Sequence, residues 1–109
     1  MHILIVMGVS GCGKTTIGKA VALRLGWDFQ EGDDFHPAAN VAKMRRGIPL
    51  DDADREPWLN AIETWMRGRI GTASSAVVTC SALKRAYRHE LRAVGHAVSF
   101  LYLRVSEAE

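Results

Sequence analysis

Apolar runs and helical stripes alternate along the chain. His2-Ile3-Leu4-Ile5-Val6-Met7 is a continuous apolar, β-branched run, the pattern of a strand buried on both faces of a parallel sheet. After a glycine-rich stretch, Ile17, Ala20, Val21 and Leu25 recur at helical spacing, and Gly26 follows as a C-terminal cap. Trp27 to Glu31 reads as a short strand entering the acidic turn Gly32-Asp33-Asp34. Pro37 opens a helix carrying Ala38, Val41, Ala42 and Met44 that ends near Gly47. Asp54 is the expected N-cap of a longer helix, whose stripe of Trp58, Ile62, Trp65, Met66 and Ile70 faces a core; the two tryptophans read as core rather than as a ligand platform. Ala76 to Cys80 is the next buried strand. Ser81 is the expected cap of a helix with Leu83, Tyr87, Leu91 and Val94 on its apolar side, and Ala97 to Leu103 is the last strand. The alternation predicts an α/β domain, a parallel sheet with helices on both faces and right-handed crossovers.

The stretch between the first strand and the first helix carries the chemistry. Gly8-Val9-Ser10-Gly11-Cys12-Gly13-Lys14-Thr15 matches G-x-x-x-x-G-K-[ST], the P-loop pattern. Its glycines let the backbone approach an anion closely, and the following helix adds free N–H groups and the positive end of its dipole. Gly8, Val9, Ser10, Gly11, Cys12, Gly13, Lys14, Thr15 and Thr16 are therefore the candidate nucleotide-binding residues. Lys14 would reach the β- and γ-phosphates, and the Thr15 hydroxyl would be the metal ligand, for Mg²⁺. An accidental glycine turn meets this pattern in on the order of one chain of this length in a few hundred, before the correct flanks are counted. No G-x-G-x-x-G/A spacing occurs, which sets aside the dinucleotide-binding fingerprint.

Composition narrows the classes further. The chain has 109 residues and is 48% hydrophobic, which suits one domain with a packed core. Fourteen basic residues against 12 acidic ones leave a net charge of +2, too balanced for nonspecific nucleic-acid or membrane binding. Cys12 and Cys80 have neither metal spacing nor a disulfide framework, as in a reducing compartment. The N-terminal apolar run is too short to span a bilayer and lacks a cleavage pattern, so a cytoplasmic location is expected.

Ligands in open α/β sheets bind beyond the carboxyl ends of the strands, so Asp33 and Asp34 can face the phosphate site. Asp33 is the candidate catalytic carboxylate, to orient or deprotonate an attacking hydroxyl, together with Lys14. Asp34 is read either as a ligand-side carboxylate or as a cap for the helix at Pro37. The third strand ends Thr79-Cys80-Ser81 without an acidic residue, so metal contact must come from Thr15 and the Glu31 to Asp34 turn. Lys84, Arg85 and Arg88 crowd a helix start, against the macrodipole, either as a solvated face or to hold an anionic substrate. His36, beside the acidic turn, is a candidate substrate contact; His2, His89 and His96 carry no partner pattern.

The chain also resembles a known family through Met7 to Thr15, Glu31-Gly32-Asp33-Asp34-Phe35-His36-Pro37, Asn40, Lys43-Met44, Gly47-Ile48-Pro49-Leu50, Asp54-Arg55, Pro57-Trp58-Leu59 and Cys80-Ser81-Ala82-Leu83-Lys84-Arg85. Together these segments are similar to gluconokinase of the P-loop small-molecule kinase type. The resemblance implies a sheet ordered 2-3-1-4 with the family's fifth strand absent, and ATP- and Mg²⁺-dependent phosphorylation of D-gluconate at its 6-hydroxyl. It implies a substrate set of Asp33, Asp34, His36, Lys43, Arg55, Lys84 and Arg88. The expected partners are gluconate and ATP, with a homodimer as the candidate assembly and neither nucleic acid nor membrane. Cys12 stands where serine is frequent in the family. The family's later helix, arginine-bearing lid, fifth strand and adenine-holding segment find no counterpart before Glu109, so the sequence is read as a partial product. A P-loop kinase acting on shikimate, a nucleotide or another small acceptor, and an inactive nucleotide-binding remnant, remain the alternatives.

With that strand order, Ala97 to Leu103 is an edge reading Ala-Val-Ser-Phe-Leu-Tyr-Leu, without charge or proline. The 109 residues alone are therefore expected to self-associate through this edge, bind ATP weakly and turn over gluconate negligibly. Sedimentation showing a stable monomer, with ordinary kinase turnover in a coupled assay, would contradict both expectations.

Overall fold

Strand β1 (Ile3–Met7) lies inside the sheet, with four of its five residues buried. The computed structural model describes residues 1–8, 13–81 and 84–103. The remaining elements are α1 (Lys14–Leu25), β2 (Asp28–Glu31), a 3₁₀ turn (Gly32–Phe35), α2 (Ala38–Arg45), α3 (Asp52–Gly71), β3 (Ala76–Cys80), α4 (Arg85–Arg92) and β4 (Val98–Tyr102). All described strand pairs are parallel and the order is β2-β3-β1-β4, as the resemblance implies. In-register pairing of Met7 with Cys80 and Tyr102, and of Glu31 with Thr79, brings the carboxyl ends of all four strands to one edge.

The two faces of the sheet are packed differently. On one, Ile3, Ile5, Met7, Val78 and Cys80 meet Trp58, Leu59, Ile62 and Met66 of α3 and Tyr87 and Leu91 of α4. Fully burying side chains of this size contributes about 1.5–3 kcal/mol each, so this is the larger source of stability. On the other, Val6 and Val77 meet Ala22 of α1.

Four sequence expectations change. Only part of the α1 stripe meets the sheet: Val21 packs against the cluster of Val6, Ala22 and Val77, but Ile17 and Leu25 are 40% and 52% exposed, whereas Gly18 and Ala22 are buried. The helix lies so close that a Cβ on Gly18 would sit 2.7 Å from the Phe29 ring, and close approach selects small residues over the apolar stripe. Helix α3 is capped by Asp51, not Asp54; Asp54 is the third helical residue and completes a reciprocal capping box with it. The N-cap position of α4 is Lys84, not Ser81, and it makes no side-chain cap; Val94 lies past the helix end, and Leu83 is outside the described residues. Finally, α2 follows Pro37 without a side-chain cap, so Asp34 does not serve it.

The turn after β2 fixes the geometry of the sheet edge. A Cβ on Gly32 would lie 1.9 Å from the Thr79 carbonyl oxygen, a backbone atom that cannot swing aside. The Gly32 N–H donates to Thr79 Oγ1 at 3.1 Å, and its carbonyl accepts from the buried Trp58 indole at 2.8 Å. Gly32→Ala must push β2 away from β3 and break these bonds. It is expected to lower stability by about 2 kcal/mol or more, on the order of 10 °C in Tm. An unchanged melting midpoint by circular dichroism would contradict this close approach.

Candidate functional site

Two adjoining clefts open at the carboxyl edge of the sheet. The first, about 400 Å³, is lined by Gly13, Lys14, Thr15, Thr16, Glu31, Asp33, Thr79, Cys80 and Ser81. Gly13 takes a left-handed conformation (φ 90°, ψ 19°) that only glycine adopts without strain, and offers no side-chain cap, leaving N–H groups of the first turn of α1 for an anion. Lys14 Nζ donates to the Gly8 carbonyl at 2.8 Å. Val9, Ser10, Gly11 and Cys12 lie outside the described residues.

Of the two carboxylates lining this cleft, Glu31 is the one bonded to the start of α1. Thr15 Oγ1 donates to it at 2.9 and 3.0 Å, and Thr79 Oγ1 donates at 2.8 Å. The acidic residue missing from the end of β3 is thus supplied by the end of β2, the neighbouring strand. Sequence reading put Glu31 at the end of the second strand and within the turn expected to share metal contact with Thr15, without singling it out from Asp33 and Asp34. The signal that finds it is the parallel pairing of β2 with β3, which sets Glu31 beside Thr79. Among the described residues no group of three His, Cys, Asp or Glu could hold a metal ion. A hydroxyl and one carboxylate in contact are hard oxygen donors that fit Mg²⁺, which takes few protein ligands and completes its shell with water and phosphate oxygens.

The second cleft, about 350 Å³, is lined by Asp33, His36, Met44, Gly47, Ile48, Pro49, Leu50, Arg55, Trp58 and Ser81. The His36 ring stacks on Trp58 with centroids 4.6 Å apart and planes 9° apart. Trp58 is therefore both core and floor of a cleft, where sequence reading gave it only the first role. Buried Asn40 donates to the Asp54 carbonyl at 2.7 Å and lies 3.1 Å from His36 Nδ1. That pairing makes Nδ1 the acceptor and assigns the ring proton to Nε2, 3.9 Å from Asp33 Oδ1.

The other sequence candidates distribute unevenly. Asp33 lines both clefts and Arg55 the second. Asp34 accepts from Gln30 at 3.4 Å on the surface. Lys43 pairs with Asp54 at 2.7 Å, bracing α2 against the start of α3. Lys84 pairs with Asp52 at 2.7 Å and Arg88 lines a separate cleft, so the structure brings neither to Asp33. Because α4 starts at Arg85, Arg88 falls on one helical face with Arg85 and Arg92, toward Phe100 and Tyr102 of β4.

Burial of His36 lowers its pKa from 6.5, with Arg55 pushing the same way and Asp33 opposing. The unfolded chain then binds the proton more readily, so His36 costs stability as pH falls below about 6.5 and nothing above it. Asp52 and Asp54, held below 3.8 by Lys84 and Lys43, lose their contributions only in far more acid solution. Between pH 7.5 and 5.5, Tm is expected to fall more for the native protein than for His36→Gln; equal slopes would contradict a buried neutral imidazole.

Comparison with known proteins agrees with this geometry. A family profile described as shikimate kinase matches residues 10–108. The gluconokinase of Gluconobacter oxydans (strain 621H) is 53% identical over 97% of this chain and 60% of its own length. A sugar kinase from Janibacter sp. HTCC2649 superposes with TM-score 0.91 at 48% identity, over 98% of this chain and 62% of its own. A gluconokinase from Sinorhizobium meliloti 1021 does so with TM-score 0.89 at 46% identity, over 98% and 59%. The chain thus spans about 60% of the length of these relatives. The chain belongs to the shikimate kinase family of P-loop kinases, with gluconokinases among its relatives at about half identity.

Proposed function

We propose that the protein is a gluconokinase, transferring the γ-phosphoryl group of ATP to the 6-hydroxyl of D-gluconate. The observation that carries this reading is that Asp33 and Ser81 line both clefts. A donor phosphate in the first and an acceptor hydroxyl in the second meet at the Asp33 carboxylate. The relatives named gluconokinase support the acceptor's identity.

The reaction asks mainly for position and charge. Lys14 exchanges the Gly8 carbonyl for the β- and γ-phosphate oxygens and neutralises the charge that moves to the leaving ADP. Thr15, with the Glu31 carboxylate beside its hydroxyl, would hold Mg²⁺, which would supply charge neutralisation at the phosphates. Asp33 accepts the hydrogen of the 6-hydroxyl, aims its oxygen at phosphorus, and takes the proton as the new P–O bond forms and the β–γ bridge breaks. Arg55 gives a carboxylate a partner at the far side of the second cleft, and His36 Nε2–H and the Trp58 face complete a wall for a polyol. No described helix is long and apolar enough to cross a membrane.

The test uses the chain extended to its relatives' length with the C-terminal segment of the Gluconobacter oxydans protein, offered gluconate, shikimate or glucose while ADP release is followed. Gluconate-dependent ADP and 6-phosphogluconate are expected. Preference for shikimate would overturn the acceptor assignment, and ATP binding without turnover on any acceptor would mark a nucleotide-binding remnant. Asp33→Asn is expected to lower kcat about 10²–10⁴-fold with the KM for ATP little changed. Full turnover in that variant would remove Asp33 from the mechanism.

A further inference from the structure

Among the described residues, Arg55 is the only lysine or arginine lining the acceptor cleft, and it does not stand alone. Its Nη1 lies 3.4 Å from Tyr87 Oη, a long hydrogen bond, and its guanidinium lies 5.8 Å from the centre of the Tyr87 ring. Tyr87 is 7% exposed, fixed in the core between α3 and α4. Its hydroxyl donates to Asp52 Oδ1. Asp52 is clamped from the other side by Lys84, at 2.7 and 2.9 Å. The line Lys84–Asp52–Tyr87–Arg55 thus joins the start of α4 to the start of α3 and ends in the cleft.

We propose that Tyr87 is the positioning residue for Arg55, and that the Lys84–Asp52 pair sets the direction of its hydroxyl. A phenol that donates its proton to a carboxylate presents its oxygen lone pairs outward as a stronger acceptor, and Arg55 meets that oxygen. Two weak contacts on one guanidinium, one at the hydroxyl and one over the ring, restrict a side chain that otherwise loses much rotamer freedom on binding an anion. The cation is then pre-ordered for a carboxylate, and the cost of ordering it falls on folding rather than on substrate binding. This also gives the cation at the α4 cap a use: Lys84, placed against the helix dipole, holds the carboxylate that orients Tyr87.

The inference rests on the gluconate reading only for the identity of the anion, so two readouts are needed. The first is the Nε–Hε NMR signal of Arg55 in the 109-residue chain, identified by its loss in Arg55→Lys. In Tyr87→Phe, which keeps the ring and its packing, the signal is expected to move and to show the faster motion of an unrestrained guanidinium. The second is calorimetric titration with gluconate in the presence of Mg-ADP, where Tyr87→Phe is expected to raise the Kd for gluconate about three- to tenfold and leave that for Mg-ADP unchanged. Asp52→Asn, at an exposed position, is expected to act in the same direction with a smaller effect. An unchanged Arg55 signal in Tyr87→Phe overturns the proposal, and so does a parallel loss of gluconate and Mg-ADP binding with a lowered Tm, which would mean a structural role. If the native chain does not bind gluconate, the acceptor assignment fails and the Arg55 signal alone decides whether Tyr87 positions it.

Discussion

At Gly32 the end of β2 presses so closely on β3 that position 32 has no room for a side chain. Much of the candidate site follows from that contact. It sets Glu31, immediately before, against Thr15 and Thr79, and Asp33, immediately after, at the mouth of both clefts. The carbonyl of the same residue anchors the Trp58 indole, whose other face carries His36. One backbone approach therefore positions the carboxylate of the first cleft, the carboxylate between the clefts, and the aromatic floor of the second.

The two clefts are mounted differently. The phosphate side rests on the sheet itself, where paired strands and a buried core leave little freedom. The acceptor side rests on helix starts: Asp51 and Asp54 cap α3, Lys43 ties Asp54 to α2, and Asn40 holds both the Asp54 backbone and His36. These capping and side-chain contacts fix how α2, the start of α3 and His36 are set against one another.

β1, β3 and β4 were legible because they are short, largely apolar runs, β2 by its place between the Gly26 cap and the acidic turn, and the α3 stripe because a long helix against a sheet must be apolar on one side. Helix α1 misled for a physical reason: it packs through Gly18 and Ala22, and close approach leaves no apolar signal to read. The Asp51 cap was hidden because Asp51, Asp52 and Asp54 are all acceptable caps and only backbone geometry chooses between them. In the site, residues near the P-loop in sequence or on the strand ends were found, whereas Asn40 and Tyr87 act through pairings 14 and 32–35 positions away that no local pattern encodes. Lys84 and Arg88 were both read as substrate cations from their shared cluster, but the structure engages Lys84 with Asp52 and turns Arg88 toward β4.

The central claim is that the clefts on either side of Asp33 are separate seats for donor and acceptor, filled at the same time. Titration of gluconate into the protein with and without a saturating non-hydrolysable ATP analogue and Mg²⁺ tests it most directly. The account predicts that gluconate binds in both cases with a stoichiometry of about one, and no more weakly when the nucleotide site is full. Mutually exclusive binding would show that the two clefts are one site and would contradict the account.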